Sequence, residues 1–512
     1  MRDRAYISLM SVLCGLVIAI MPATARAQDN QQTPSQNQQG QQQQQNQGPT
    51  PQGQQNEEQP TAPIPAYRSP LASAAGSDNS DQSETQPMTP DTRPLAGVQN
   101  LSLGTLTGEH NYWQPHFDIF ESIVSNPQES PNQSGWGTWL SLSGGVDLHR
   151  TSGDSDLTLN YLGGGMISTD SNVGNGIVQQ LGVIDRLTLR RWTLTGTEQL
   201  SYLPGAGFGF GGLGDAGFST GGSVGLGTSF GLPGQTALTG LSQSVANAAS
   251  GEADLSLTPR ASLTFAGGYS LLHYSQSTLL DSTEANFRAG YNYLLTRKDT
   301  VAAIYTYTAF RFGNFNQSIN EHTIQGSYAR RVTGRLVFQI AAGPQIAQFR
   351  IPIPSTTGST GSGSSVNSSN QLYWSLNANA QYQWQRTGLN VSYDHGVGAG
   401  AGVLGGSVSD IVTGSVTREM SRTFSSGVTA GYSRNHGLAV QAGAPVGQNY
   451  DYWFAGATFS HPIGRTLGLT LAYQMQYEDS SNSFCIGTTC GSNLMTQIIS
   501  IGLGWHARPI SF

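Results

Sequence analysis

From about His110 to the end of the chain, apolar and polar residues alternate in segments of ten to fifteen residues, separated in turn by short and long polar connections. In Leu372 to Gln385, one parity holds Leu372, Trp374, Leu376, Ala378, Ala380, Tyr382 and Trp384. The other holds Tyr373, Ser375, Asn377, Asn379, Gln381, Gln383 and Gln385. A period of two places these sets on opposite faces of a β-strand, one apolar and one amide-rich. Leu467, Leu469, Leu471, Tyr473, Met475 and Tyr477 oppose Gly468, Thr470, Ala472, Gln474 and Gln476 in the same way. Phe287, Ala289, Tyr291 and Tyr293 oppose Asn286, Arg288, Gly290 and Asn292.

Two architectures bury such a face: a soluble sandwich with a dry core, and a barrel whose apolar side meets lipid. Three features favour the barrel. Aromatic residues gather near strand ends, as with Trp374 and Trp384, or Trp192 and Tyr202, where interfacial girdles lie. Short turns at Arg190-Arg191, Thr296 to Asp299, Val332 to Arg335, Arg386 to Gly388, Glu419 to Arg422 and Pro462 to Arg465 alternate with long loops at Pro204 to Ser250, Ile351 to Asn370 and Glu478 to Asn493. A sandwich has no reason to sort its loops by end. Finally, 13 of the 24 basic residues, among them Arg150, Arg260, Lys298, Arg330 and Arg465, fall at the proposed short turns, where they can meet lipid phosphates.

Seventeen segments run from Trp136 to Trp505, and His116 to Val124 supplies one more. The expectation is an all-β, antiparallel, up-and-down transmembrane barrel of about 18 strands over residues 110–512. Asp185 and Glu198 fall on its lipid-facing parity, where a charge costs a few kcal/mol. A bulge that shifts the register, a protein partner, or a place near the interface would each account for them.

Ahead of the barrel, Arg2 and Arg4, an apolar run from Tyr6 to Met21 and Ala25-Arg26-Ala27 describe a cleaved export signal over 1–27. Residues 28–109 are rich in Gln, Pro and Ser with few large apolar side chains, a composition that cannot offset the entropy of ordering and predicts a disordered periplasmic tether. Export leaves Cys485 and Cys490, whose spacing suits a small disulfide ring; two ligands are too few for a metal.

With 65 Gly in 512 residues, 11% charged residues, a net charge of -7 and Lys298 as the single lysine, the chain offers no basic face for nucleic acid. Gly207, Gly209 and Gly212 match a dinucleotide fingerprint only nominally, because no βαβ unit surrounds them. Asp394-His395 and Glu321-His322 are neighbours on strands and face opposite ways, so neither makes an acid–base couple without a third residue from another strand, and the histidines read as rim residues. No nucleophile elbow or zinc-binding helix motif is present. The sequence therefore points to no enzyme and no cofactor.

Residues 110–512 resemble Gram-negative outer-membrane β-barrel proteins, with general porins the best understood, on the export signal, the alternating strands and the terminal Phe512 after Gln497 to His506. In that family a terminal aromatic shares parity with the outward set, here Met495, Ile499, Ile501, Leu503 and Trp505, and is read by the barrel-assembly machinery. Phe512 has the opposite parity and Pro509 interrupts the run, which leaves either a terminal bulge or Trp505 as the aromatic end. The segment Ser201 to Phe210 is similar to ones in acidobacterial outer-membrane barrels of unassigned activity.

The resemblance implies residence in outer-membrane lipid and passive diffusion of small hydrophilic solutes. The lumen lining would be Asn286, Arg288, Asn292, Asn377, Asn379, Gln381, Gln383 and Gln474, with Arg288 either a constriction residue or a solvated lumen charge. The alternative is a surface interaction or assembly barrel whose lumen is plugged by the Gly-rich loop or the Gln-rich tail. The oligomeric state is open.

Overall fold

A computed structural model describes residues 111–512 apart from 127–134, 169–174, 204–242, 276–278, 314–316, 353–365, 399–404, 422, 439–448, 481–484, 487–488 and 491–492. The expected export signal, the Gln-rich tether and most of the Gly-rich loop lie outside the described residues.

Alternation along the chain becomes strands of 12 to 18 residues. They are β1 (Tyr112–Ser125), β2 (Trp136–Ser152), β3 (Ser155–Ser168), β4 (Gly176–Thr188), β5 (Trp192–Leu203), β6 (Ser244–Thr258), β7 (Ala261–Tyr274), β8 (Ser282–Leu294) and β9 (Asp299–Phe312). There follow β10 (Gln317–Arg331), β11 (Leu336–Pro352), β12 (Val366–Gln383), β13 (Thr387–Gly398), β14 (Ser407–Ser421), β15 (Phe424–Gly437), β16 (Asn449–Ile463), β17 (Leu467–Ser480) and a closing strand, Asn493–His506. Each pairs antiparallel with its sequence neighbour, and the closing strand pairs with both β17 and β1. Eighteen long strands therefore form one ring with no free edge among the described residues, so every ladder finds its partner inside the sheet.

Several strands run beyond the apolar pattern. β12 begins at Val366 rather than near Leu372, and β17 reaches Ser480 rather than stopping before Glu478. Backbone pairing continues above the apolar band because the ladder needs no apolar side chain to propagate.

Outward positions carry the apolar set. Trp136, Leu372 and Trp374 are 65%, 72% and 61% exposed, and Phe287, Tyr291, Leu471, Ile501 and Trp505 are also exposed. One end of the ring has tight connections, two of which use glycines in the left-handed region that L side chains avoid: Gly153 at φ 57° and Gly464 at φ 82°. In another of these turns, the Thr296 hydroxyl donates to Asp299 at 2.5 Å and the Tyr328 hydroxyl donates to it at 2.7 Å. These hydroxyls, Thr296 first, hold the Asp299 carboxyl below its ordinary range.

The C-terminus resolves the parity of Phe512. His116 lies opposite His506, whereas Trp113 lies opposite Ile510. Three steps on β1 thus face four on the terminal segment, which is a one-residue bulge around Pro509, a residue with no N–H to give the ladder. The extra residue flips the parity, so Ile510 and Phe512 join Trp505 on the outward, exposed side.

Asp185 and Glu198 do face outward. The β4–β5 register is continuous from Gln179↔Tyr202 to Thr188↔Thr193, so no bulge turns either of them in. Instead Ser155 donates to Asp185 at 2.9 Å, and the Asn247 amide donates to Glu198.

Parity predicts unequal responses to charge. Leu471→Arg, on the outward face, should lower the stability of the barrel folded into lipid vesicles by about 2–4 kcal/mol. Ala472→Arg, one residue on and facing in, should lower it by less than ~1 kcal/mol. Denaturant unfolding of both variants, followed by tryptophan fluorescence, checks the difference.

Candidate functional site: the inner face of the barrel

On the inner face of β10 to β13 the side chains form a belt of amides and hydroxyls. Gln325 donates through Nε2 to Ser375 Oγ at 3.0 Å and to Asn377 Oδ1 at 2.9 Å. Asn377 Nδ2 in turn donates to Asp394 Oδ1 at 2.6 Å. Gln325 belongs to β10 and its acceptors to β12, so this amide crosses the intervening strand. It does so over Gly343, which lies opposite Ser375 and has no side chain in the way. A Cβ at Gly343 would run into the Ile324 carbonyl and the Gln325 backbone. Higher on the same wall, Gln345 Nε2 donates to Glu321 Oε2 at 2.9 Å, and the Val397 backbone N–H donates to Gln345 Oε1 at 3.2 Å.

The charged residues on this face are ordered by strand register. Asp156 lies opposite Arg186, Arg186 opposite Thr195, Thr195 opposite Glu252, Glu252 opposite Ala266 and Ala266 opposite Arg288. Residues opposite one another across a ladder share a face, so Asp156, Arg186, Glu252 and Arg288 form one inward row of alternating sign. Asp254 sits two residues along β6 from Glu252 and accepts a hydrogen bond from Thr264.

All eight residues expected to line the lumen carry inward parity. Asn286, Arg288 and Asn292 share β8, where Asn286 donates to Glu284 at 3.0 Å and Asn292 to Thr264 at 3.0 Å. Asn377, Asn379, Gln381 and Gln383 share β12, with Gln383 at the turn end, where its amide donates to the Trp384 carbonyl at 3.4 Å. Gln474 stands apart on β17, separated from β12 by four strands. Arg288 belongs to the charge row rather than standing alone.

Sequence reasoning missed Glu252, Asp254, Glu284, Gln325 and Gln345, and weighed Glu321 only as a neighbour of His322. Alternation does mark Glu252 and Asp254, but their opposite parity on β6 is Ala249, Gly251, Ala253 and Leu255, whose small side chains give a weak apolar signal. The amide crossing over Gly343 depends on three strands in register and has no local signature.

The two acid–histidine neighbours separate as expected. Asp394 is bonded from inside by Asn377, whereas His395 Nδ1 lies 2.7 Å from Asp410 Oδ1 and its ring packs against the outward Trp374. Glu321 is held by Gln345, whereas His322 Nδ1 lies 2.8 Å from the Tyr305 hydroxyl. Cys485 and Cys490 have directly opposed backbones in a small antiparallel pair.

At the long-loop end, residues of several strands meet on the inner face. Gln317 Nε2 donates to the Gly405 carbonyl at 2.6 Å, joining the start of β10 to the connection before β14. Leu438, just after β15, and Tyr373 pack against Phe310, Phe312, Ile319 and Phe349. Gly406, at φ 110°, sits against Ile319 and Leu438. Segments from distant strands thus converge on the top of β10.

No protein-family model and no curated protein sequence matches the chain. Among solved structures several match most of this chain and nearly all of their own. Pseudomonas aeruginosa OccK2 (OpdF), in complex with glucuronate, matches with a TM-score of 0.38 and 11% identity over 78% of this chain and 98% of that one. Acinetobacter baumannii OccAB3 matches with a TM-score of 0.36 and 10% identity over 78% and 99%. The outer membrane protein opdK of P. aeruginosa matches with a TM-score of 0.36 and 9% identity over 78% and 99%.

The crossing at Gly343 yields a stability test. Gly343→Val should cost about 1–3 kcal/mol, as expected of overpacking against fixed backbone, while Gly182→Val, where a Cβ meets nothing within 4 Å, should cost less. Urea midpoints of the two variants in detergent micelles measure the contrast.

Proposed function

We propose that the chain is an outer-membrane channel for passive diffusion of small hydrophilic solutes. The observation that carries the reading is the two-sidedness of a closed ring of eighteen strands: exposed Trp, Leu, Ile and Tyr outside, and amides, hydroxyls and an alternating charge row inside. Barrels of 8 strands are filled by their own side chains, whereas those of 16 to 18 leave an aqueous channel. Polar interior atoms support a wet lumen. Gln474 Nε2, Gln476 Oε1 and Thr496 Oγ1 have no hydrogen-bond partner among the described residues, and such groups call for water.

In this reading residues 1–27 direct export and are removed, 28–109 form a periplasmic tether, and 110–512 are delivered to lipid by the barrel-assembly machinery. The lumen-facing amides solvate the permeating solute without chemistry or cofactor. The opposed Cys485 and Cys490 close a disulfide in an outer loop, a staple suited to an oxidising compartment. Convergence on the top of β10 favours a second reading in part, a barrel whose lumen is narrowed from within and whose loops bind a partner.

Conductance decides between them. Purified mature protein in a planar bilayer should give stable current steps, and deletion of Gly205 to Gly234 should enlarge them if that loop folds inward. Silence from protein that still shows heat-modifiable migration overturns the channel reading in favour of the second. Glu252→Gln, which strips the anion from between two arginines, should raise anion over cation permeability. The shift should be a few-fold at most, because a unit charge ~4 Å from an ion is worth about 1 kcal/mol in water.

A further inference from the structure

Among the described residues, basic side chains are concentrated at the tight-turn end of the strands, and few stand at the long-loop end: Arg311, Arg350 and Arg434. Arg434 has an acidic neighbour, Asp451, with Nε at 4.0 Å from its Oδ1. Among the described residues, Arg311 and Arg350 have no carboxylate within ion-pair distance. Arg311 is held in place by its own chain, donating to the Phe310 carbonyl and to Asn320 Oδ1, both at 2.9 Å.

Register puts the two together. Ser318 of β10 lies opposite Arg311 of β9 on one side and opposite Arg350 of β11 on the other. The three form one row on the outward face, with the arginine backbones about 10 Å apart across two strand spacings. Both arginines are exposed. Asn320 and Gln348, opposite each other one step down the strands, continue the polar patch. Below it the same face turns apolar through Tyr305, Tyr307, Ile324 and Ile346, of which Ile324 is 61% exposed. Beside Arg311 a groove of about 600 Å³ is lined by Val245, Leu271, Thr283, Arg311 and Ser318. The carboxylate at its rim, Asp281, is engaged by His273 Nδ1 at 2.7 Å.

We propose that Arg311, Ser318 and Arg350 bind a phosphate group of an outer-leaflet lipid, with the lipid's acyl chains lying along the apolar face below them. The proposal rests on the membrane reading above, which fixes the long-loop end as the outer one. Two guanidiniums on either side of a hydroxyl supply the planar, multidentate donors that a phosphate accepts. Their place above the aromatic band of Tyr307 and Trp374 is where headgroups lie. The connection between Phe312 and Gln317, beside Arg311 and Ser318, is the briefest at this end.

The test uses the mature chain in zwitterionic detergent, with diphosphorylated lipid A as the probe and native mass spectrometry as the readout. Wild-type protein should retain lipid A, and the Arg311→Gln/Arg350→Gln double variant should bind it roughly thirtyfold more weakly, since each surface cation contributes about 1 kcal/mol. Arg434→Gln should bind as wild type does. Equal retention by wild type and the double variant overturns the proposal. So does displacement by millimolar inorganic phosphate, which would mark a free-phosphate site instead. Unchanged heat-modifiable migration in the double variant shows that lost binding is not lost folding. A wild-type chain that stays dissolved without detergent sinks the membrane reading, and this site with it.

Discussion

Closure of the hydrogen-bond ladder is the constraint on which everything else depends. A strand whose outer side chains are Leu, Ile and Trp cannot leave its N–H and C=O groups open at an edge, because an apolar medium gives them no partner. The contact between β1 and the closing strand removes that edge. Once the ring is closed, each residue has only two destinations, and the period of two decides which.

Inside, the ring converts strand register into a site. The row of Asp156, Arg186, Glu252 and Arg288 comes from four strands between β3 and β8, and its alternation of sign lets each charge lie near an opposite one without leaving a large field of one sign. The amide belt on β10 to β13 depends as much on a missing side chain as on those present: Gln325 reaches Asn377 because Gly343 is bare. A wall built this way is polar yet largely self-satisfied, and its residual hydrogen-bonding capacity falls to water.

Outside, the apolar face is interrupted in two different ways. Asp185 and Glu198 are outward carboxylates that each accept a hydrogen bond, from Ser155 and Asn247, which lowers the cost of holding them there. Arg311 and Arg350 instead stand exposed at the long-loop end with no acidic partner among the described residues. The terminal bulge at Pro509 serves the outer face too, returning Phe512 to the side on which Trp505 lies.

The sequence by itself determined the fold class, the strand number and the face of nearly every side chain, since a two-residue period is a local property of each segment. The alternation in β8, β12 and β17 was enough to place Asn286, Arg288, Asn377 and Gln474 on the inner side. It also left Asp185 and Glu198 on the outer one. Tertiary structure decided what depends on several strands at once: the bulge that reorients Phe512, the joining of Arg186, Glu252 and Arg288 in one row, and the flanking of Ser318 by two arginines. Pro509 and the parity of Phe512 left the bulge as one of two outcomes, whereas the charge row and the arginine pair follow from register between distant segments, which is set by closure of the ring and has no signature along the chain.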